Sequence, residues 1–238
     1  MPGRADRIFY APPALLARQS FPVPDDEAHH LTRVLRVSDQ AEVRFVDGEG
    51  NAAVVRVTRR AEGLSADVLE RPGREPPRSP EVHLAIATNK GSDFEEILTR
   101  LAEIGVRVVH PFTAARSVPR GAGGRARAER WSRMARTGMK IAGSAHLMRI
   151  TPVLEWSDAL ALPGDCRILC EAGGEPLLRS VRGETVLVLI GPEGGFTDEE
   201  RAEAIGAGFV AGSLGAGNLR ATTAAVLAAG FMMSGCEA

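Results

Sequence analysis

Two glycine-rich turns are the parts of this 238-residue sequence whose residue types and spacing are best suited to binding a ligand. One reads Gly-Pro-Glu-Gly-Gly-Phe at residues 191–196, and the other reads Gly-Ala-Gly-Asn at residues 215–218. Each follows an apolar run typical of a buried strand and precedes a helix-like segment. Because glycine lets backbone N–H and C=O groups come close to a flat ligand, the pair indicates a nucleotide-like site.

Two charged residues adjoin these turns. Arg220 follows the second turn, and Glu193 lies within the first. An arginine next to a bound ligand can stabilise a developing anion, but at a helix start it can also simply bridge to a neighbour. A glutamate before a helix can orient a ligand or interact with the helix dipole. Both interpretations stay open for both residues.

Several common catalytic motifs are missing from the sequence. There is no G-x-x-x-x-G-K-[ST] phosphate loop, no strand-linked G-x-G-x-x-G, no G-x-S-x-G elbow and no H-E-x-x-H helix. The three cysteines, Cys166, Cys170 and Cys236, argue against a disulfide framework and a zinc site. We therefore expect no metal centre, and we expect Cys170 to end a buried strand.

Composition narrows the class of protein further. Hydrophobic residues make up 44% and charged residues 25%, which is ordinary for a globular protein. No apolar run approaches the roughly 20 residues of a membrane span, and the N-terminal segment lacks the apolar core of a secretory signal. The expectation is a cytoplasmic protein with no membrane segment.

The net charge is -1, but the charged residues are unevenly distributed along the chain. Residues 116–149 contain eight arginines and one lysine against a single acid. A basic stretch in a nearly neutral protein can form an anion-binding face, and the alternative is a solvated basic helix.

A proline-rich connector divides the chain. Residues 71–80 contain four prolines and one glycine, which favours a stiff, extended segment. The sequence therefore predicts a first domain at 1–72 and a second at 81–238.

The first domain is expected to be β-rich. Strand-like runs at 41–46 and 52–57 flank a turn at 47–51, which predicts a hairpin, and a third strand is expected at 64–69. Residues 25–36 have acids at the start and arginines at the end, as a helix prefers. A small barrel capped by one helix is the predicted result.

Strands and helices alternate in the second domain. Strands are predicted at 82–87, 106–109, 167–170, 186–190 and 209–214, and helices at 93–104, 127–141 and 222–233. Thr197 and Glu200 have the spacing of a capping box at the start of a further helix. Alternation of this kind predicts an α/β fold with a mainly parallel sheet.

Taken with their flanks, residues 189–196 and 214–225 resemble the two signature loops of the RsmE-type methyltransferases of the SPOUT superfamily. Further similarity to this family lies at residues 30–36, 47–48, 90–91, 103–106, 111 and 116–117. The match runs in order through nearly the whole chain. The resemblance implies a trefoil-knotted C-terminal α/β domain with a parallel sheet and a PUA-like N-terminal β-barrel.

The same resemblance implies a function. It implies a homodimer that uses S-adenosyl-L-methionine to methylate N3 of a uridine in 16S rRNA of the 30S subunit. The residues implied to hold the cofactor are Leu189, Gly191, Glu193, Gly194, Leu214, Gly215 and Leu219. Arg220 is expected to orient the uracil as the catalytic residue. The residues expected to contact RNA are Arg7, His30, Arg33, Arg36 and Arg116.

Some residues depart from the family's usual ones. They are Ala114, Ala115, Lys140, Ile141, Ser144, Gly217 and Thr222. Gly217 stands in place of an arginine and Thr222 in place of a glutamate, so the general base is unassigned. These changes favour one alternative, a non-catalytic or retargeted RNA-binding or ribosome-assembly protein that keeps the SPOUT fold. An unrelated α/β nucleotide-binding protein is the other.

Overall fold

The computed structural model describes residues 8–34, 40–88, 93–117, 124–176, 183–215 and 217–234. The chain divides into two compact units. The first contains Met1–Pro77 and Met139–Leu147, and the second contains Arg78–Gly138 and Met148–Ala238. The division predicted from the proline-rich connector does not anticipate that Met139–Leu147 groups with the first unit.

The first unit is built on a five-stranded sheet with the strand order β1-β3-β4-β5-β2. Its strands are β1 (Ile8–Tyr10), β2 (Ser20–Pro22), β3 (Ala41–Val46), β4 (Ala52–Arg60) and β5 (Gly63–Glu70). β1 pairs in parallel with β3, and the other neighbours are antiparallel. In the core, the ring of Phe45 lies 5.5 Å from the rings of both Phe9 and Phe21, measured between centroids.

The predicted hairpin between β3 and β4 is confirmed, with Val46 paired to Ala52. The buried carboxylate of Asp47 fixes the turn between them. Its Oδ1 accepts the backbone N–H of Glu49 at 2.7 Å and that of Asn51 at 3.1 Å. Its Oδ2 accepts the side-chain amide of Asn51 at 2.6 Å. Asp47 thus satisfies three donors inside a tight turn.

Two short helices, α1 (Pro13–Leu16) and α2 (Asp25–His29), complete the first unit. The predicted helix over 25–36 differs from this, because α2 is followed by a π-helical turn at His30–Val34 and residues 35–36 lie outside the described ranges. The hydroxyl of Thr32 donates to the carbonyl of Ala28 at 2.8 Å. A hydroxyl that bonds back into a helix weakens the regular α-helical ladder, which fits the wider turn.

The second unit contains a six-stranded parallel sheet with the order β11-β9-β10-β6-β7-β8. Its strands are β6 (Glu81–Ala87), β7 (Val108–Phe112), β8 (Arg149–Ile150), β9 (Cys166–Pro176), β10 (Thr185–Ile190) and β11 (Val210–Ser213). The predicted α/β fold with a parallel sheet is confirmed, while the knot stays a prediction. Because β9 continues to Pro176, the prediction that Cys170 ends its strand is wrong.

The remaining helices are α3 (Asp93–Ile104), α4 (Gly124–Ala142), α5 (Trp156–Leu160), α6 (Asp198–Gly206) and α7 (Ala221–Ser234). α7 packs against α3 and against β6 and β10. Buried alanines on α7, including Ala225 and Ala228, allow this close approach. Within the described ranges, no helix has the length and apolar character needed to cross a membrane.

The strand order decides where the glycine-rich turns lie. β9, β10 and β11 are neighbours in a parallel sheet, so the loops that follow β10 and β11 leave at the same edge. Cys170 pairs with Ile190 in the register of β9 and β10. The residues of β9 that follow Cys170 therefore lie beside the start of the first glycine-rich loop.

Candidate ligand-binding site

The first loop begins after Ile190, the last residue of β10. Its first residue, Gly191, packs against the ring of its last residue, Phe196. Phe196 is buried, and its ring lies 5.7 Å from that of Trp156. A Cβ placed on Gly191 would approach the Phe196 ring to 3.0 Å, which is tighter than ordinary packing allows. Glycine at position 191 therefore permits the turn that closes the loop.

The second loop runs from the end of β11 to the start of α7. The N–H of Gly215 donates to the hydroxyl of Ser213 at 3.2 Å, and that hydroxyl donates to the carbonyl of Gly215 at 2.9 Å. Gly215 has a φ of 136°, in the region that favours glycine. At the far end, the carbonyl of Arg220 accepts the N–H of Ala224 at 2.9 Å and begins the helix.

A cavity of about 320 Å³ lies between these two loops. Its volume is within the range of roughly 300–1,000 Å³ typical of small-molecule sites. The middle of β9, both loops and the starts of α6 and α7 contribute to its wall. The lining residues are Cys170, Glu171, Ala172, Ile190, Gly191, Pro192, Glu193, Gly194, Gly195, Phe196, Arg201, Ser213, Leu214, Gly215, Gly217, Asn218, Leu219, Ala221 and Ala224.

Three charged residues line the cavity, namely Glu171, Glu193 and Arg201. The guanidinium of Arg201 donates through Nε to Glu171 Oε2 and through Nη1 to Asp198 Oδ1, the latter at 2.7 Å. Glu171, and to a smaller extent Asp198, raise the pKa of Arg201. Arg201 is therefore a cation held in a fixed position at the cavity wall.

Cys170 also lines the cavity, and burial raises the pKa of its thiol to about 11, with Glu171 adding to the shift. A thiol with so high a pKa is protonated at neutral pH and is a poor nucleophile. Within the described ranges, no group of three or more His, Cys, Asp or Glu side chains is placed to hold a metal ion.

Arg116 holds the first loop from outside the cavity lining. Its Nη1 donates to the carbonyl of Gly194 at 2.6 Å and, more weakly, to that of Phe196 at 3.4 Å. A Cβ on Gly194 would lie 3.3 Å from the Cδ of Arg116, so the arginine side chain crosses the loop closely. The sequence prediction for Arg116 was RNA contact, and this loop contact was not anticipated.

A second contact ties the same segment to the helix after the loop. The predicted capping box is confirmed, because Thr197 Oγ1 accepts from the N–H of Glu200 and Glu200 Oε2 accepts from the N–H of Thr197. The other carboxylate oxygen of Glu200 accepts the N–H of Ala115 at 2.8 Å. Glu200 is buried, so both of its oxygens have partners where water is scarce.

The structure brings most of the predicted cofactor residues together. Those that line the cavity are Gly191, Glu193, Gly194, Leu214, Gly215 and Leu219. Leu189 is fully buried in the sheet, one residue before the lining begins. Arg220 is exposed at the rim, between Leu219 and Ala221, which both line the cavity.

Of the residues predicted to contact RNA, only His30 and Arg116 have described side chains, and RNA contact stays a prediction for all five. Arg7 and Arg36 lie outside the described residues, as does the side chain of Arg33. His30 belongs to the first unit, where its ring meets that of Phe9 edge-on at 6.0 Å. Arg116 belongs to the second unit.

Sequence reasoning missed the part of the wall formed by β9 and α6, in particular Glu171 and Arg201. These residues are distant in the sequence and carry no motif. A usable signal existed for Glu171, because it follows the strand predicted at 167–170, and ligands of parallel sheets bind near the carboxyl ends of strands.

Comparison with known proteins identifies the family. A model of the RNA methyltransferase domain matches residues 76–233, and a model of the RNA methyltransferase PUA domain matches residues 23–64. The ribosomal RNA small subunit methyltransferase E of Synechocystis sp. is 30% identical over 211 residues, covering 85% of this chain and 69% of that protein. The enzyme of the same name from Mycobacterium bovis is 29% identical over 221 residues, covering 87% and 84%.

A solved structure agrees with these relatives. The ribosomal RNA small subunit methyltransferase E of Neisseria gonorrhoeae, in a crystal structure with bound S-adenosyl methionine, superposes with a TM-score of 0.85. The two chains are 26% identical, and the match covers 96% of this chain and 97% of that one. This chain belongs to the ribosomal RNA small subunit methyltransferase E family of RNA methyltransferases. The family resemblance and the PUA-like N-terminal domain are thereby confirmed.

Proposed function

We propose that this protein transfers a methyl group from S-adenosyl-L-methionine to N3 of a uridine in 16S rRNA of the small ribosomal subunit. The observation that carries the proposal is the cavity between the two glycine-rich loops, in a chain that belongs to an RNA methyltransferase family. The relative from Neisseria gonorrhoeae binds the same cofactor and has the same fold.

The residues of the cavity fit this cofactor. Adenine is flat and is recognised well by backbone groups, which the glycines of both loops leave accessible. The backbone around Gly191, Gly194 and Gly215 is suited to hold it, while Leu214 and Leu219 offer apolar contact. The carboxylates of Glu171 and Glu193 can accept hydrogen bonds from the polar part of the cofactor.

When bound, S-adenosyl-L-methionine supplies a methyl group that its sulfonium has already activated. The task left to the protein is to hold the acceptor nitrogen in line with the methyl carbon and to assist loss of the N3 proton. Arg220, which is exposed between the lining residues Leu219 and Ala221, is proposed for this task. Its guanidinium can orient the uracil and stabilise the negative charge that develops on it.

The target base must reach the cavity. A uridine in folded RNA has to be turned out of its stack, at a cost of a few kcal/mol. His30, Arg33, Arg36, Arg7 and Arg116 are proposed to hold phosphates and so position the RNA, without reading its sequence. The PUA-like domain is proposed to contribute to this binding.

The wider setting follows the family. The protein is proposed to act in the cytoplasm on the 30S subunit, as a knotted homodimer. Leu219 is 41% exposed beside the cavity and Leu227 is 37% exposed on α7. Apolar side chains exposed near a site are available for contact with a second copy.

One observation favours a second candidate, an RNA-binding protein without methyl transfer. In the described structure, the first turn of α7 carries no acidic residue, because Thr222 takes the place of the family's usual glutamate. Turnover separates the two candidates, since both are compatible with cofactor binding.

Replacement of Arg220 tests the catalytic assignment. In single-turnover assays on 30S subunits, Arg220→Ala is expected to slow methyl transfer by about 100-fold or more, because a donor to the developing anion is lost. Calorimetry should find cofactor affinity nearly unchanged. Arg100→Ala is the matched control, because Arg100 is exposed on α3 and pairs with Glu96, one turn away on the same helix. A wild-type rate for Arg220→Ala would remove Arg220 from the mechanism.

A further inference from the structure

Glu171 is a charged residue in the cavity wall, and its partners indicate which part of the cofactor it contacts. It follows Cys170 on β9, and Cys170 pairs with Ile190 at the end of β10. Glu171 therefore lies level with the start of the first glycine-rich loop. Its side chain is 18% exposed and lines the cavity.

The two oxygens of this carboxylate differ in their partners. Oε2 accepts a hydrogen bond from the Nε of Arg201. Within the described residues, Oε1 accepts no hydrogen bond. Oε1 is not sealed inside the protein, so a ligand or a water molecule in the cavity can donate to it.

Arg201 determines which kind of donor suits Oε1. Its guanidinium neutralises Glu171 and is itself held by Asp198 at 2.7 Å. Because Glu171 and Arg201 form a nearly neutral pair and Asp198 is 95% exposed, an ammonium group gains little net attraction here, while Oε1 can still accept from a neutral hydroxyl. The pair thus favours a neutral hydrogen-bond donor over an ammonium group.

We propose that Glu171 Oε1 accepts hydrogen bonds from the vicinal hydroxyls of the cofactor's ribose, with Arg201 and Asp198 holding the carboxylate in position. This inference rests on the proposed function, because it assumes an adenosine cofactor between the loops. Glycine loops offer backbone groups to the adenine, and Glu171 supplies the carboxylate that a ribose diol requires. The site then distinguishes ribose from deoxyribose nucleosides.

Calorimetric titration with S-adenosylhomocysteine and its 2′,3′-dideoxy analogue tests the proposal without requiring turnover. The wild-type protein is expected to bind the dideoxy analogue about 10- to 100-fold more weakly, since hydrogen bonds to a charged group are lost. Glu171→Gln should weaken binding of S-adenosylhomocysteine by a similar factor and leave the dideoxy analogue nearly unaffected. Glu199→Gln, an exposed acid on α6, is the matched control.

Three results would overturn the proposal. The first is an equal loss for both ligands in Glu171→Gln, since the carboxylate would then not contact the diol. The second is a loss for S-adenosylhomocysteine but not for 5′-methylthioadenosine, which lacks the amino-acid part, since Glu171 would then contact the ammonium group. The third is no loss at all. Glu171→Asp keeps the charge and retracts the oxygens, so it should also reduce the discrimination if Glu171→Gln does not fold.

Failure of the proposed function has a different signature. If the wild-type protein binds none of the three adenosine ligands, the cofactor assignment itself fails and this inference fails with it. If the wild-type protein binds them but Glu171→Gln has no effect, only the role of Glu171 is wrong.

Discussion

Arg116 illustrates how a single side chain can hold a loop that has few side chains of its own. The loop at residues 191–196 is half glycine, so it has little intrinsic preference for one conformation. Arg116 donates to the carbonyls of Gly194 and Phe196 and limits that freedom. The sequence predicted RNA contact for Arg116 and did not predict this contact with the loop, because it joins residues far apart in the chain.

This geometry predicts a coupling between Arg116 and Gly194. Arg116→Ala is expected to weaken cofactor binding by about tenfold, since the loop loses a charge-assisted hydrogen bond that holds it ready for the ligand. Gly194→Ala should weaken binding in the wild-type background, because the new Cβ meets the arginine side chain. When Arg116→Ala is already present, the Gly194→Ala change should have less effect, by about 1 kcal/mol.

A double-mutant cycle read by calorimetry checks this prediction. The φ of Gly194 is outside the left-handed region, so alanine is tolerated by the backbone itself. Strict additivity of the two substitutions would mean that Arg116 does not constrain the loop at Gly194.

Lys140 shows how a departure from the family pattern can have a structural reason. Its Nζ lies 2.9 Å from both carboxylate oxygens of Glu27, which is 2% exposed. Lys140, which replaces a polar residue usual at the family's site, therefore forms an ion pair with Glu27 within the first unit. The sequence could not reveal this pairing across more than a hundred residues.

Lys140→Met is expected to lower the free energy of unfolding by about 3 kcal/mol, because it leaves the buried carboxylate of Glu27 without its cation. Chemical denaturation measures the change. Arg56→Met is the control, since its pair with Glu42 is exposed and should contribute less than about 1 kcal/mol. An equally small effect for both variants would show that Glu27 is adequately solvated without Lys140.

At the scale of elements, sequence patterns predicted those helices and turns whose formation depends on residues close together in the chain. The amphipathic periodicity of residues 93–104 gives the observed bounds of α3, and the turn chemistry around Asp47 gives the hairpin. The short strands β1 and β2 were missed because their pairing with β3 and β5 is not local. β9 was predicted too short, because its second half pairs with β11 after an irregularity at residues 211–212.

A pair of histidines links two strands of the second unit. His110 on β7 is 7% exposed, and its Nε2 lies 3.4 Å from Nδ1 of His83 on β6. Burial lowers the pKa of His110 to about 4, and the neighbouring His83 and Arg149 contribute to the shift. Burial also lowers the pKa of His83, against the opposing effect of Glu81. Thr151 and Arg107 are further polar neighbours of the pair.

These lowered pKa values predict the direction of a pH effect. Between pH 6.5 and about 4, the unfolded chain binds a proton at His110 and the folded protein does not. The free energy of unfolding should therefore fall as the pH is lowered through this range, by up to about 3 kcal/mol from His110. His110→Gln should show a shallower pH dependence in denaturation experiments, while His29→Gln, which is exposed on α2, should follow the wild type. Parallel curves for His110→Gln and the wild type would contradict the assignment.

At the scale of the whole molecule, the order of strands is what makes a site from separate loops. The two glycine-rich turns were recognised from the sequence, and the parallel sheet was predicted from the alternation of elements. β9 lies between β10 and β11 and so adds Glu171 to the cavity. This strand order could not be predicted, because no local sequence pattern specifies which strands are neighbours. The same holds for the grouping of Met139–Leu147 with the first unit.

Charge distribution is the other property of the whole chain that bears on function. A net charge of -1 gives no general attraction to RNA, so binding must depend on where the basic residues lie. The stretch at 116–149 contains Arg116 and five arginines of α4, namely Arg125, Arg127, Arg130, Arg133 and Arg136. Contacts of this kind with phosphates weaken as salt is raised.

The central claim is that this protein makes a specific methylated nucleoside in ribosomal RNA. The most direct test incubates it with labelled S-adenosyl-L-methionine and 30S subunits from a strain that lacks its own enzyme, and identifies the modified nucleoside by mass spectrometry. Label is expected in N3-methyluridine and should nearly disappear with Arg220→Ala. Cofactor binding without any labelled nucleoside would contradict methyl transfer and leave the RNA-binding alternative in its place.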